Sequence, residues 1–301
     1  MKKGFLCTIN TLNILILCCL NSCATTRENT RENTRKNRRI ISQEITCIGT
    51  IRDLAEDSRG WRRTDRFDRL ELSNFDHEIH VTQKFFGRPG ILNRIEKLTN
   101  LDIYGVKAML EDNPIPFVFG PDGKRYIIDR HHFARAFYEY RDELQKRLGR
   151  DFEKLEVKFQ EVEVFSDIPL KKMSFENFEQ VMTNLKLVYL DSPTMKMKNL
   201  PVAVGDLEED YYRGLAWIIV KSGAIGKTDI PFQEFYWAEF FKKNLEFKNK
   251  TFSLKKIKKA IKLSLSDKAT SLPGHKEGKS LSRKNAIEML EDKGILDLLT
   301  K

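Results

Sequence analysis

The residues best suited to chemistry stand together, directly after a predicted strand. Asp129, Arg130, His131 and His132 follow the apolar run that ends at Ile128 and precede a stretch with helical spacing. A strand that turns into a helix presents free backbone N–H groups and the positive helix end, which favours an anion such as phosphate. Arg130 would add a charge-assisted hydrogen bond for ligand binding. Asp129, His131 and His132 are the candidate catalytic residues, because a histidine exchanges protons near neutral pH.

The same four residues also suit a purely structural role. Asp129 is a preferred N-cap residue, because its carboxylate accepts hydrogen bonds from amides two or three positions later. Two histidines at the start of a helix would then only complete the cap. The residue pattern leaves both interpretations open.

Metal ligands are a separate question. His77 and His80 stand three residues apart, but no cysteine partner or HExxH motif accompanies them, so exposed loop histidines are favoured over a zinc site. A phosphodiester hydrolase would instead use Mg²⁺ or Mn²⁺ held by carboxylates. The candidates for that role are Asp129, Glu209 and Asp210.

Local patterns predict the elements that position this loop. Apolar residues at 117–119, the turn at 120–123 and the returning run at 125–128 predict a β-hairpin. Helical spacing then continues from Phe133 to Leu148 and ends at Gly149. A charged loop is expected at 57–63, a strand at 155–165, and helices at 90–98, 102–110, 175–188, 207–220, 232–241, 257–265 and 285–299. Because strands cluster early and helices late, the predicted fold class is α+β with a mainly helical C-terminal half.

Several sequence blocks with the pattern of a known family occur in order along the centre of the chain. They are residues 119–136, the tetrapeptide 80–83 with Gly87, and the stretches 209–216 and 232–241. Together they resemble the bacterial ParB-like nuclease family, a distant branch of the ParB/sulfiredoxin superfamily. The resemblance extends from about residue 45 to residue 243, and it predicts a ParB-like domain with a helical extension over residues 44–243.

The resemblance implies a ParB/sulfiredoxin-like small mixed sheet with helices, in which the loop entering the helix receives phosphate or nucleotide. The blocks also contain further candidate ligand-binding residues: Thr82, Gln83, Arg213 and Glu234. If these four do not converge on Asp129 and His132, the blocks are only framework.

Glu234 lies on an otherwise apolar helical face. Glu234, Trp237, Ala238 and Phe241 follow the i, i+3, i+4, i+7 spacing, which favours core packing over a base-stacking platform. A carboxylate among aromatic residues needs a partner, and Arg213 is the predicted one.

The N-terminal segment has the pattern of a bacterial lipoprotein signal. Two lysines precede an apolar run from Phe5 to Leu20, and Cys23 follows shortly afterwards. The pattern predicts a signal peptide at 1–23, a lipidated Cys23, and a membrane-anchored lipoprotein of the cell envelope; an uncleaved signal anchor is the alternative. The polar Thr-Arg-Glu-Asn repeat that follows predicts a flexible basic tether over 24–43.

The positive charge of the chain is concentrated at its two ends. The formal net charge is +10, yet residues 40–241 alone carry −5. Residues 244–301 are predicted to be a basic helical tail, in which the stretch 255–263 is amphipathic. That helix would suit anionic lipid or nucleic acid, although packing of its apolar side on the domain is favoured.

Two ligand-binding functions are consistent with these patterns, and a purely structural envelope protein is a third possibility. The first is an envelope lipoprotein that binds a phosphate-bearing ligand or nucleic acid and hydrolyses a phosphodiester, as a nuclease. The alternative is a non-catalytic lipoprotein that binds phosphate, a nucleotide or another cell-envelope ligand. The predicted membrane contact is the lipid anchor, and no protein partner is predicted.

Overall fold

The computed structural model describes residues 60–276 and 281–299. The predicted signal peptide at 1–23, with Cys23, and the tether at 24–43 lie outside these residues. In the part described, seven strands are β1 (Trp61–Glu71), β2 (Ile79–Val81), β3 (Phe85–Phe86), β4 (Ile115–Phe119), β5 (Arg125–Ile127), β6 (Glu156–Val164) and β7 (Glu208–Glu209). Nine helices are α1 (Arg88–Thr99), α2 (Ile103–Asp112), α3 (His131–Leu148), α4 (Phe175–Asn184), α5 (Tyr211–Lys221), α6 (Gln233–Asn244), α7 (Leu254–Ser264), α8 (Arg283–Asp292) and α9 (Ile295–Leu298).

Five of the strands form one mixed sheet, in the order β1-β6-β4-β5-β2. The β1–β6 and β4–β5 pairs are antiparallel, whereas β6–β4 and β5–β2 are parallel. The short strands β3 and β7 form a separate parallel pair. The predicted α+β class, with a mixed sheet first and helices later, is therefore confirmed.

The predicted hairpin is β4 and β5. Phe119 pairs with Arg125 at its closed end, and Gly123 occupies the turn with φ of 75°, which a residue without Cβ adopts at low cost. Side chains of β4 alternate between the two faces of the sheet, because successive residues of a strand point in opposite directions. Phe117 enters the core beneath α1 and α3, and Val118 enters the core beneath α4.

Several boundaries differ from the sequence-based expectation, and the helix expected at 175–188 ends already at Asn184. The expected charged loop at 57–63 overlaps β1, which has many charged residues because it is an edge strand with exposed side chains. The helix expected from residue 207 begins only at Tyr211, because residues 208–209 pair with β3 and Asp210 caps the helix. The C-terminal helix is divided in two at Gly294, which has φ of 62°.

The C-terminal helices share a core with α5 and α6. Ile257 and Ile261 of α7 and Leu290 of α8 are fully buried in the same apolar cluster as Leu215 and Trp237. The amphipathic helix therefore packs its apolar side on the domain, as favoured above. No helix in the described ranges is long and apolar enough to span a membrane.

Candidate functional site

The turn from β5 into α3 differs in detail from the expected cap. The N-cap residue is Arg130, in the left-handed conformation with φ of 62°, so Asp129 as the helix cap is wrong. The Asp129 carboxylate is exposed and accepts the Arg130 N–H at 2.6 Å. This N–H belongs to the N-cap residue itself, so the carboxylate does not bind an amide of the first helical turn. Arg130 Nη1 donates to Asn113 Oδ1 at 2.6 Å, which holds the arginine at this turn.

The first turn of α3 leaves two amides without acceptors. Phe133 and Ala134 donate their N–H groups to the Arg130 carbonyl at 2.9 and 3.0 Å. The amides of His131 and His132 have no acceptor within the ranges that the structure describes. Two N–H groups and the positive end of an 18-residue helix therefore lie at the predicted loop.

His131 joins α3 to the segment that follows β2. Its ring is buried, and Nε2 accepts the Thr82 N–H at 3.2 Å. Thr82 Oγ1 donates to the Ile127 carbonyl at 2.7 Å, so the threonine links the same segment to β5. Burial, followed by the nearby charge of Arg213, lowers the pKa of His131 to about 3, although the Ile127 carbonyl opposes the shift. The imidazole is therefore neutral at pH 7.

His132 performs a similar task one position later. Its Nε2 accepts the Gly87 N–H at 3.1 Å, which fixes the start of α1 against α3. A Cβ at Gly90 would lie 3.2 Å from the His132 ring, so α1 approaches closely at that point. Burial and the charges of Arg213 and Arg94 lower the pKa of His132 well below its ordinary value.

The geometry thus gives both histidines positioning roles. In each ring the nitrogen Nε2 already accepts a backbone N–H, and in each the protonated form is disfavoured. The catalytic roles of His131, His132 and Asp129 stay predictions.

Arg213 is the most deeply buried cation of the site. Its side chain is only 7% exposed, and Nη1 donates to the Phe85 carbonyl at 2.7 Å. Nη2 lies 3.9 Å from Glu234 Oε2, and the guanidinium lies 3.7 Å from the ring centre of Phe235. Burial lowers the pKa of Arg213 to about 10, so the group stays charged at neutral pH. Its buried Nε has no hydrogen-bond partner in the described part of the chain.

Glu234 and Arg94 lie in the electrostatic field of the same cluster. Burial raises the pKa of Glu234, and the charges of Arg213, Arg94 and Lys221 oppose that shift. Arg94 is half-buried on α1, and no described residue forms a hydrogen bond or an ion pair with it. Its pKa is lowered by burial, against the effect of Glu234 and Asp129. The predicted pairing of Arg213 with Glu234 is present at long distance.

The four candidate ligand-binding residues relate to the loop in different ways. Thr82 contacts His131 directly, whereas Gln83 Nε2 donates to the Phe85 carbonyl at 2.9 Å, the same oxygen that Arg213 binds. Glu234 and Arg213 both interact electrostatically with Asp129. Their role in binding a ligand stays a prediction.

Sequence reasoning missed two cations of the cluster. Arg94 follows Gly90 by one helical turn on α1, so it lies on the face that approaches His132. Lys221 follows Arg213 by two turns on α5, and its Nζ lies 5.3 Å from the Trp217 ring centre between them. Helical spacing from Gly90 and Arg213 is the signal that would have found both residues.

The charge balance of this cluster favours an anionic ligand. Four cations (Arg94, Arg130, Arg213 and Lys221) interact with three carboxylates (Asp129, Asp210 and Glu234). Arg94, which has no hydrogen-bonded or ion-paired partner among the described residues, presents donors for a ligand with several acceptor oxygens.

The predicted Mg²⁺ or Mn²⁺ ligands do not fit a metal ion. Asp210 accepts the Arg213 N–H at 2.7 Å as the cap of α5, and Glu209 is an exposed residue of β7. Among the residues that the structure describes, no three His, Cys, Asp or Glu side chains are grouped to hold an ion. In the described structure Asp129, Glu209 and Asp210 are therefore not grouped as a set of metal ligands, because the two later carboxylates belong to a strand and a cap; their metal role stays a prediction.

Comparison with known proteins agrees with this fold. The family model described as "Putative ParB-like nuclease" matches residues 76–243, more than half of the chain, and the chain therefore belongs to this family. The crystal structure of protein Atu1540 from Agrobacterium tumefaciens is similar, with a TM-score of 0.54. The two chains are 24% identical over 70% of this chain and 98% of that one, a level that shows the fold alone. No curated protein matches the chain.

The buried histidines predict an acid-sensitive fold. In the unfolded chain His131 has its ordinary pKa of about 6.5, whereas in the folded chain its pKa is about 3. Between these two pH values the unfolded chain therefore binds a proton at His131 and the folded chain does not. Between these values His131 should lower the free energy of unfolding by about 1.4 kcal/mol per pH unit as the pH falls. In His131→Gln this contribution should disappear, as measured by urea unfolding from pH 7 to pH 4. His77→Gln, at an exposed position, is the control, and an unchanged pH dependence in His131→Gln would contradict the assignment.

Proposed function

We propose that this chain is an envelope lipoprotein whose ParB-like domain binds a phosphate-bearing ligand at the 129–132 loop. The observation that carries the proposal is Arg94, a half-buried guanidinium without a hydrogen-bonded or ion-paired partner in the described structure, close to the start of α3. Placing a cation out of water is unfavourable unless something compensates it. A phosphate group supplies both the negative charge and the acceptor oxygens.

The rest of the cluster supports the same ligand class. Arg213 offers an unpaired Nε, and the amides of His131 and His132 point out of the helix start. Because the rings of the two histidines are fixed by backbone N–H donors, the loop is rigid before a ligand arrives. Preorganised donors reduce the entropy lost on binding.

Arg94→Gln is expected to weaken phosphate binding without disturbing the fold. A hydrogen bond to a charged group contributes about 1.5–3 kcal/mol, so affinity should fall by about 10- to 100-fold. Titration calorimetry with inorganic phosphate, a mononucleotide and a short oligonucleotide would identify which source of phosphate binds. Lys97→Gln, an exposed residue of the same helix, is the matched control. Equal affinity for both variants, or no binding by the parent chain, would contradict the proposal.

Hydrolysis of a phosphodiester is the second candidate function. The family name is the first support for it. The second is Glu234, whose raised pKa and position beside Arg213 and Arg94 suit a group that gives a proton to a leaving oxygen. In this mechanism the arginines would stabilise the phosphoryl charge.

Glu234→Gln separates catalysis from binding. If Glu234 is the acid, hydrolysis of DNA or RNA should fall at least 100-fold, while phosphate affinity changes little. Glu239→Gln, on the exposed side of the same helix, should keep full activity. If hydrolysis is lost in His132→Ala but not in Glu234→Gln, the histidine and not Glu234 is the catalytic residue. If the parent chain does not hydrolyse DNA or RNA, binding without catalysis is the function.

The lipoprotein part of the proposal depends on Cys23. A charged start, an apolar run and a cysteine at position 23 support acylation at that residue. Cys23→Ser should move the protein from the membrane fraction to the soluble fraction of a bacterial lysate, and Cys47→Ser should not. Mass spectrometry of the mature chain tests the same point, because an unmodified N-terminal segment would exclude the anchor.

A further inference from the structure

Helix α7 carries a row of lysines that the phosphate site does not use. Lys255, Lys258, Lys259 and Lys262 are all exposed, and at 100° per residue they fall within an arc of about 100°. The opposite side of the helix is the buried side, with Ile257, Ala260 and Ile261 in the core. We call the four lysines the lysine face.

Acidic partners are missing from the lysine face. The sequence from Phe247 to Ser266 contains seven lysines and no Asp or Glu. None of the four lysines forms an ion pair with any residue the structure describes, whereas Lys256 turns toward the Asn249 and Thr251 carbonyls at 2.8 and 2.7 Å. Four uncompensated charges in one short row attract an extended anionic surface.

A recess lined by two leucines and several cations lies at the end of this row. Its volume is about 490 Å³, and Lys262 belongs both to its lining and to the lysine face. The remaining lining residues are cationic, apolar or hydroxylic: Leu265, Leu281, Ser282, Arg283 and Lys284. Leu254, at the other end of α7, is 41% exposed.

We propose that the lysine face and its recess are a docking surface for an anionic phospholipid bilayer. Cations beside apolar side chains suit a headgroup phosphate followed by the first apolar part of a lipid. A single strand of nucleic acid would need aromatic residues for base stacking, but none of the large exposed aromatic side chains in the described residues lies between 244 and 299. The four ammonium groups of the lysine face also lack the arginine forks that read bases, and the recess adds one arginine, Arg283.

This surface acts independently of the phosphate site and of Cys23. The lysines belong to α7, and the site belongs to α1, α3, α5 and α6. A lipid anchor with one extra electrostatic contact binds a membrane far more durably than either alone. On an anchored chain, the face would hold the domain against the bilayer in one orientation.

The test measures binding of the full chain to vesicles of phosphatidylcholine, with and without phosphatidylglycerol. The variant Lys255→Gln, Lys258→Gln, Lys259→Gln, Lys262→Gln removes four charges. Its control removes four exposed lysines elsewhere: Lys107→Gln, Lys124→Gln, Lys172→Gln, Lys198→Gln. Thermal unfolding checks that both variants keep the fold.

Each lysine near an anionic surface contributes about fivefold to binding. The phosphatidylglycerol-dependent affinity should therefore fall at least tenfold in the α7 variant and much less in the control, and added salt should abolish the difference. Equal affinities in the two variants would overturn the proposal. Loss of oligonucleotide binding with unchanged vesicle binding would also overturn it, because the partner would then be nucleic acid.

Discussion

A buried arginine is the constraint on which the candidate site depends. Arg213 keeps its charge with 7% of its side chain exposed, so the protein must surround it with compensating groups. The Phe85 carbonyl, the Phe235 ring and the distant carboxylate of Glu234 provide part of that compensation. In the described residues the Nε group of Arg213 has no hydrogen-bond partner, and the guanidinium lies close enough to the start of α3 to affect His131.

The charge of Arg213 adds to the effect of burial on its neighbours. Burial first, and then the charge of Arg213, disfavours protonation of both histidines, which therefore act as neutral acceptors and clamp β2, α1 and α3 together. Close backbone packing makes this possible: a Cβ at Gly87 would lie 2.8 Å from the backbone of Gly214, directly after Arg213. The two histidines that were predicted to be catalytic thus have positioning contacts in the structure, and in the proposed function the arginines are the groups that face the ligand.

Positive charge has two separate places in this protein. The site places Arg94 and Arg213 inside a body that is acidic as a whole, so its attraction for anions is local and depends on burial. The lysine face of α7 is exposed, dense and uncompensated, so its attraction is long-ranged and sensitive to salt. A small phosphate group suits the first arrangement, and an extended anionic surface suits the second.

The sequence by itself determined what depends on short segments. The hairpin of β4 and β5, the helix after it, the α+β class and the family membership all follow from local spacing and from ordered blocks. The sequence did not reveal β1. An edge strand is exposed to solvent and has many charged residues, so its sequence resembles that of a loop. Only the tertiary structure decided that Arg94 and Lys221 join the site, that the histidines are neutral, and that Glu209 and Asp210 serve a strand and a cap. The reason is physical: burial and long-range contacts set pKa values and bring distant helices together, and neither is a property of neighbouring residues along the chain.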